Sequence, residues 1–91
     1  MALYTISYDL INPGRDYETL SNAIKKYGFW WHQSGSVWII SVNNTNSTTI
    51  RDYLKQFIDT NDKLFVAKLS GEWAAYGFTK EEYDWMKTNN V

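Results

Sequence analysis

The residue best placed for chemistry in this 91-residue chain is an acid at the end of its first predicted strand. Asp9 lies near the end of the alternating run of residues 3–10, and a turn sequence follows at residues 12–14. A carboxylate there could ligate Mg²⁺ or Mn²⁺ together with its symmetry mate in a dimer, and such a metal activates water for attack on a phosphodiester. Alternatively, Asp9 is a solvated acid or caps the turn, and one acid alone does not decide between these interpretations.

Two further residues carry groups suited to phosphate or proton chemistry. Arg15 precedes a predicted helix, where its guanidinium and the helix N-terminus would both attract a phosphate. The alternative is an ion pair of Arg15 with Asp9, Asp16 or Glu18. His32 is the only histidine and has a pKa suited to general acid–base catalysis. Its position in an aromatic segment also suits a structural or interface role.

Aromatic residues make up 18% of the chain, including five tryptophans and seven tyrosines, which is more than one small core comfortably holds. Trp30, Trp31 and Trp73 could stack on nucleic-acid bases, as exposed aromatics of sheet-surface RNA binders do. The alternative for these three side chains is packing in the core or in a dimer interface. The surplus of aromatics therefore indicates that some lie at an interface or in a groove, which favours oligomerisation.

Composition excludes several classes of function. The formal net charge of -1 argues against a general duplex-DNA binder, which is normally basic. The absence of cysteine excludes disulfides, thiol catalysis and cysteine-ligated metal sites. The longest uninterrupted apolar run covers only residues 37–40, so we expect a cytoplasmic protein without a membrane partner.

The predicted elements alternate in a recognisable order. The patterns predict strands over residues 3–9, 29–32, 36–42 and 64–69, and helices over residues 17–27, 48–58 and 80–87. Asp16 is a candidate N-cap of the first helix, Gly28 a candidate end, and Thr79 with Glu82 a capping box for the last. This order predicts an α+β, ferredoxin-like βαββαβ fold. It has an antiparallel four-stranded sheet, two helices on one face, and a C-terminal extension from about residue 71 within a single domain of residues 1–91.

Strands with two apolar faces leave a question about what covers the sheet. The helices are expected to cover Trp38, Ile40, Phe65 and Leu69. The opposite face would then carry Val37, Ile39, Leu64 and Val66, and a second subunit or the chain's own tail would have to bury it. Residues 73–78 could add a fifth strand to this sheet or to that of a partner.

Three segments resemble a known family. Residues 4–10 read as an apolar strand ending in Tyr-Asp-Leu, residues 15–28 as a helix closing in Lys-Tyr-Gly, and residues 33–39 contain Ser36, Val37 and Trp38. These segments resemble the CRISPR-associated Cas2 family, and small bacterial and phage proteins called SinR-like are also similar. The resemblance implies a ferredoxin-like homodimer with its sheets face to face. It also implies a strand-end aspartate, here Asp9, that binds a divalent metal near the dimer axis for nuclease activity.

Two hypotheses of function follow. In the first, a Cas2-like dimer binds or cleaves nucleic acid or a nucleotide, with Mg²⁺ or Mn²⁺ at Asp9. Arg15 and Ser36 then contact phosphate, and Trp31 and His32 lie at the nucleic-acid surface. In the second, the chain is a non-catalytic dimeric interaction module, such as a scaffold, a toxin–antitoxin partner or a phage-encoded inhibitor, that uses its aromatic surface. The mild acidity, the residues Trp30–His32 and the C-terminal helix depart from the family pattern.

Overall fold

The computed structural model describes residues 2–11 and 17–89 of the chain. The strands are β1 (Ala2–Asp9), β2 (Phe29–Ser34), β3 (Val37–Val42) and β4 (Lys63–Leu69), and the helices are α1 (Glu18–Lys25), α2 (Ser47–Leu54) and α3 (Lys80–Asn89). A 3₁₀ turn at Lys55–Phe57 extends α2. The βαββαβ order and the four-stranded antiparallel sheet confirm the predicted α+β, ferredoxin-like fold.

The sheet has the strand order β2-β3-β1-β4, so β1 and β3 are its two central strands and β2 and β4 are its edges. All neighbouring strands are antiparallel. In this register Asp9 lies opposite Lys63 on β4, and Ser7 lies between Val37 on β3 and Phe65 on β4. The end of β1 therefore meets the start of β4.

One face of the sheet packs under α1 and α2 and forms the main core. Alternation along β1 and β3 turns every second side chain toward the helices, and the helices supply apolar residues at helical spacing. The buried members are Tyr4, Ile6, Leu20, Ala23, Ile24, Trp38, Ile40, Ile50 and Leu54. The predicted burial of Trp38 and Ile40 on this face is confirmed.

The prediction of which β4 side chains face the helices was wrong. Leu64 and Val66 pack against the helical core, whereas Leu69 packs on the other face and Phe65 is 60% exposed. Both faces of β4 are apolar, so its pattern alone could not orient it. Pairing of Ile6 with Val66 fixes the orientation, since Ile6 belongs to the helical core.

The opposite face of the sheet is partly covered by the chain's own C-terminal segment. Leu3, Ile39 and Met86 are buried there. Trp31, Leu69, Trp73, Phe78 and Trp85 pack against them. Among the described residues, residues 73–78 form no strand, so the suggestion that they add a fifth strand to this sheet was wrong.

Local signals set the helix ends. Thr79 and Glu82 form the predicted capping box, in which the Thr79 N–H donates to Glu82 Oε1 at 2.9 Å and the Glu82 N–H donates to Thr79 Oγ1 at 3.2 Å. Asn46 caps α2 by accepting from the Thr49 N–H at 2.8 Å. Gly28 has φ of 91°, as predicted for a residue that ends a helix. The predicted cap Asp16 lies outside the described residues.

Across the described ranges, no helix combines the length and apolar character that crossing a membrane requires.

Candidate functional site

Asp9 is the exposed last residue of the central strand β1. Strand alternation places it on the same face as Ser7, which is the face away from α1 and α2. Ser7, Asp9, Lys63 and Phe65 line a shallow depression with a volume of about 480 Å³. The depression lies on the part of the sheet beyond the C-terminal segment.

A second depression adjoins Asp9 from the side of the β2–β3 turn. The Tyr8 N–H donates to the Ser36 carbonyl at 3.1 Å, which holds the turn at the end of β1. Asp9, Ser21 and Ser36 are among the residues that line this space of about 640 Å³. The structure thus brings together Asp9 and Ser36, two of the residues singled out in the sequence.

The charge at this end of the sheet is simple. Asp9 and Lys63 face each other across β1 and β4, but among the described residues no ion pair within 4.0 Å includes Asp9. The part of the chain that the structure describes contains no group of three or more His, Asp or Glu side chains able to hold a metal. The exposed Asp9 carboxylate therefore lies beside the Lys63 ammonium group, and the exposed Glu18 lines the same depression as Asp9 and Ser36.

Asp62 joins the chain on both sides of residues 12–16. Its Oδ1 accepts from the Ile11 N–H at 2.8 Å, and its Oδ2 accepts from the Tyr17 hydroxyl at 3.2 Å. Oδ2 also accepts from the Asp59 N–H at 2.8 Å, which fixes the carboxylate on the loop before β4. One side chain thus ties the exit of β1 and the approach to α1 to the loop that leads into β4.

The other residues singled out in the sequence lie elsewhere. Arg15 is outside the described residues. Trp31 packs on the face of the C-terminal segment, with ring centroids 4.9 Å from Phe78 and 6.0 Å from Trp85. Trp73 is half-buried in the same cluster and stacks on Tyr83. Of the two alternatives for Trp31 and Trp73, the structure shows packing within the chain.

His32 contacts the opposite face of the sheet from Asp9. Its ring stacks on Trp38, with centroids 3.9 Å apart and an interplanar angle of 7°. Its Nε2–H donates to the Gly35 carbonyl at 3.0 Å, since a carbonyl can only accept. These contacts secure the β2–β3 turn, whereas a role of His32 in catalysis or in nucleic-acid binding stays a prediction.

Hydrogen bonding and burial shift the pKa of two side chains in the helical layer. A hydrogen bond from Arg51, at 2.8 Å from its Nη2, lowers the pKa of the Asp52 carboxyl, and the charges of Arg51 and Lys55 act in the same direction. Burial raises the pKa of Tyr27, and the nearby Tyr53 adds to this effect. The ring centroids of these two tyrosines are 6.2 Å apart.

Alternation along β1 places Ser7 on the same face as Asp9, so this neighbour is predictable from the sequence. Sequence reasoning missed two other neighbours of Asp9. Lys63 and Phe65 come from β4, and their place beside Asp9 depends on the β1–β4 register, for which the sequence carries no local signal.

The fold and the strand-end acid together define a ferredoxin-like protein with a carboxylate at the exit of a central strand. The family model described as CRISPR associated protein Cas2 matches residues 1–75. The chain therefore belongs to the Cas2 family, a group of CRISPR-associated, nuclease-like proteins that generally act as dimers. The match ends before α3 begins, so this helix lies beyond the matched part of the chain.

Proposed function

We propose that this chain forms a Cas2-like cytoplasmic homodimer that binds or cleaves nucleic acid or a nucleotide, with Mg²⁺ or Mn²⁺ at Asp9. The observation that carries the proposal is the exposed Asp9 carboxylate at the end of the central strand β1, on the part of the sheet that the C-terminal segment leaves open. An oxygen ligand of this kind suits a hard divalent cation.

A second copy of the chain completes the site in this proposal. Mg²⁺ is commonly held by one or two carboxylates, waters and substrate phosphates. Among the described residues, Asp9 is the one carboxylate that lines the depression with Lys63 and Phe65, so twofold symmetry would supply a second carboxylate on this face. Phe65 supports such a contact because it is 60% exposed beside Ser7 and Asp9. A large apolar ring on an open sheet is the type of residue that a subunit interface buries.

The residues near Asp9 have distinct roles in this proposal. Asp9 would hold the divalent cation, which when bound would supply activation of water for phosphodiester hydrolysis. The Lys63 ammonium group offers a point charge to a phosphate, and the Ser36 hydroxyl offers a hydrogen bond. Asp62 fixes both sides of the segment that contains Arg15, the predicted additional phosphate contact.

Cleavage assays test the catalytic form of the proposal. Wild-type protein is incubated with a panel of RNA, DNA and nucleotide substrates in the presence of Mg²⁺ or Mn²⁺. Asp9→Asn removes the charge and should reduce cleavage by at least about 100-fold, since metal activation of the nucleophile is lost. Glu72→Gln is the matched control, because it removes an exposed acid from the loop after β4 and should leave the rate unchanged.

The dimer is tested separately. Phe65→Lys places a charge on the open sheet face and should convert a dimer at micromolar concentration into a monomer, as measured by sedimentation velocity. If wild-type protein is a dimer but cleaves no substrate with either metal, that result would favour the hypothesis that the chain is a non-catalytic interaction module. A monomeric wild-type protein would remove the shared-metal proposal.

A further inference from the structure

A small cleft lies between the edge strand β2 and α3, outside the Asp9 site. Trp30, Trp31, Glu81, Glu82 and Trp85 line it, and its volume is about 180 Å³. Small-molecule sites usually measure roughly 300–1,000 Å³, so this cleft suits one side chain rather than a whole ligand. Its aromatic walls and acidic residues are contributed by two different elements.

Contacts on the described residues hold the walls in place. Trp31 packs edge-on against Phe78 and also contacts Trp85, which fixes its ring between β2 and the C-terminal segment. The capping box fixes the first turn of α3, where Glu81 and Glu82 lie. The cleft is therefore formed before any partner arrives, which lowers the entropic cost of binding.

The cleft carries the chemistry that recognises a cation. Glu81 is exposed, and among the described residues no ion pair includes it. The Trp30 ring already accepts a cation on one face, because Lys25 Nζ lies 5.1 Å from its centroid. Two acidic side chains at the cleft would repel a phosphate, so nucleic acid does not suit it. The complementary group is positively charged and has a flat or apolar surface.

We infer that the cleft binds an arginine side chain from an extended segment of a protein partner. A guanidinium group is planar, so it stacks on indole rings and donates two parallel hydrogen bonds to a carboxylate. An ammonium group is a compact point charge without a flat surface for stacking or a fixed pair of parallel donors. An extended segment fits because β2 is an edge strand, and an edge strand offers unpaired backbone groups along its free side.

The cleft combines residues from inside and from beyond the part of the chain that the Cas2 family model matches. Trp30 and Trp31 lie within the part that the Cas2 family model matches, while Glu81, Glu82 and Trp85 lie beyond it. The inference does not depend on the Asp9 proposal, since the two sites share no residue. Failure of one therefore leaves the other intact.

Peptide binding tests the inference. The probe is an acetylated, amidated pentapeptide of threonines with a central arginine, and its partner probe carries citrulline, which has the same shape without the charge. Binding to the full chain is followed by ¹⁵N chemical-shift perturbation, including the indole N–H signals. We expect the arginine peptide to shift the Trp31 and Trp85 signals and to bind at least about fivefold more tightly than the citrulline peptide.

Two variants make the test specific. Glu81→Gln should weaken the arginine peptide about tenfold, as expected for loss of a charge-assisted hydrogen bond, while Glu72→Gln should leave its affinity unchanged. Equal affinity for both peptides, or equal weakening by both variants, would overturn the inference. So would free arginine amide that binds as tightly as the peptide, because an extended segment would then contribute nothing.

Discussion

Replacing Asp62 by alanine should destabilise the fold more than its partly exposed position suggests. Among the described residues, the carboxylate accepts three hydrogen bonds, from the Ile11 N–H, the Asp59 N–H and the Tyr17 hydroxyl. The first and last of these donors lie on opposite sides of residues 12–16. Alanine removes all three acceptor contacts at once and leaves two backbone N–H groups without this partner.

The expected magnitude follows from these contacts. A typical protein hydrogen bond contributes about 0.5–1.5 kcal/mol, and more when one partner is charged. The Ile11 contact is exposed and the other two are part-buried, so about 1 kcal/mol each is appropriate. Asp62→Ala should therefore lower the free energy of unfolding by about 2–3 kcal/mol. In a domain of this size that corresponds to a fall in Tm of roughly 10–20 °C.

Urea denaturation at pH 7, followed by tryptophan fluorescence, measures this change. Asp62→Asn keeps one acceptor oxygen and should give an intermediate loss. Tyr17→Phe should cost about 0.5–1 kcal/mol in the wild-type background and clearly less in the Asp62→Ala background, since the acceptor of its hydroxyl is then gone. A loss below about 0.5 kcal/mol for Asp62→Ala, close to that of the exposed control Glu72→Ala, would refute the role assigned to Asp62.

Three further stability predictions follow from the structure. Met86→Ala should lower the free energy of unfolding by about 2–4 kcal/mol, because Met86 is buried against the sheet. Lys87→Ala, at an exposed position, should lower it by less than about 0.5 kcal/mol. Similar losses for the two variants in urea denaturation would contradict the packing of α3. Ser41→Ala should raise the free energy of unfolding by up to about 1 kcal/mol, because the buried Ser41 hydroxyl has no hydrogen-bond partner among the described residues, and a clear loss would contradict this. Burial raises the pKa of Tyr27 above its ordinary value. The contribution of Tyr27 to the free energy of unfolding is therefore complete below about pH 10 and is lost as pH rises through the raised pKa. Tyr27→Phe should therefore reduce the decline in stability between pH 9 and 11, and an unchanged decline would argue against it.

The helices and strands could be predicted from the sequence because local residue patterns specify them. Alternation gave β1, helical spacing gave α1 and α2, and the Thr79–Glu82 capping box gave the start of α3. The second helix was expected to reach residue 58, but its last turn is 3₁₀. Local periodicity does not distinguish these two hydrogen-bond patterns well, because they differ by one residue in spacing.

Features that depend on long-range strand pairing could not be predicted from the sequence. Leu64 and Phe65 are both apolar, so only the register with β1 decides which one faces the helices. The same register brings Lys63 beside Asp9. Residues 73–78 add no strand to this sheet, and the C-terminal segment instead places Trp85 and Met86 on it, which is an outcome of tertiary packing rather than of local propensity.

The central claim is that Asp9 residues from two copies of the chain share one divalent metal. Titration with Mn²⁺ followed by electron paramagnetic resonance measures the bound metal per chain directly. We expect one Mn²⁺ per two chains in wild-type protein and in Glu72→Gln, with loss of this binding in Asp9→Asn and in Phe65→Lys. One Mn²⁺ per single chain, or unchanged binding in Asp9→Asn, would contradict the account.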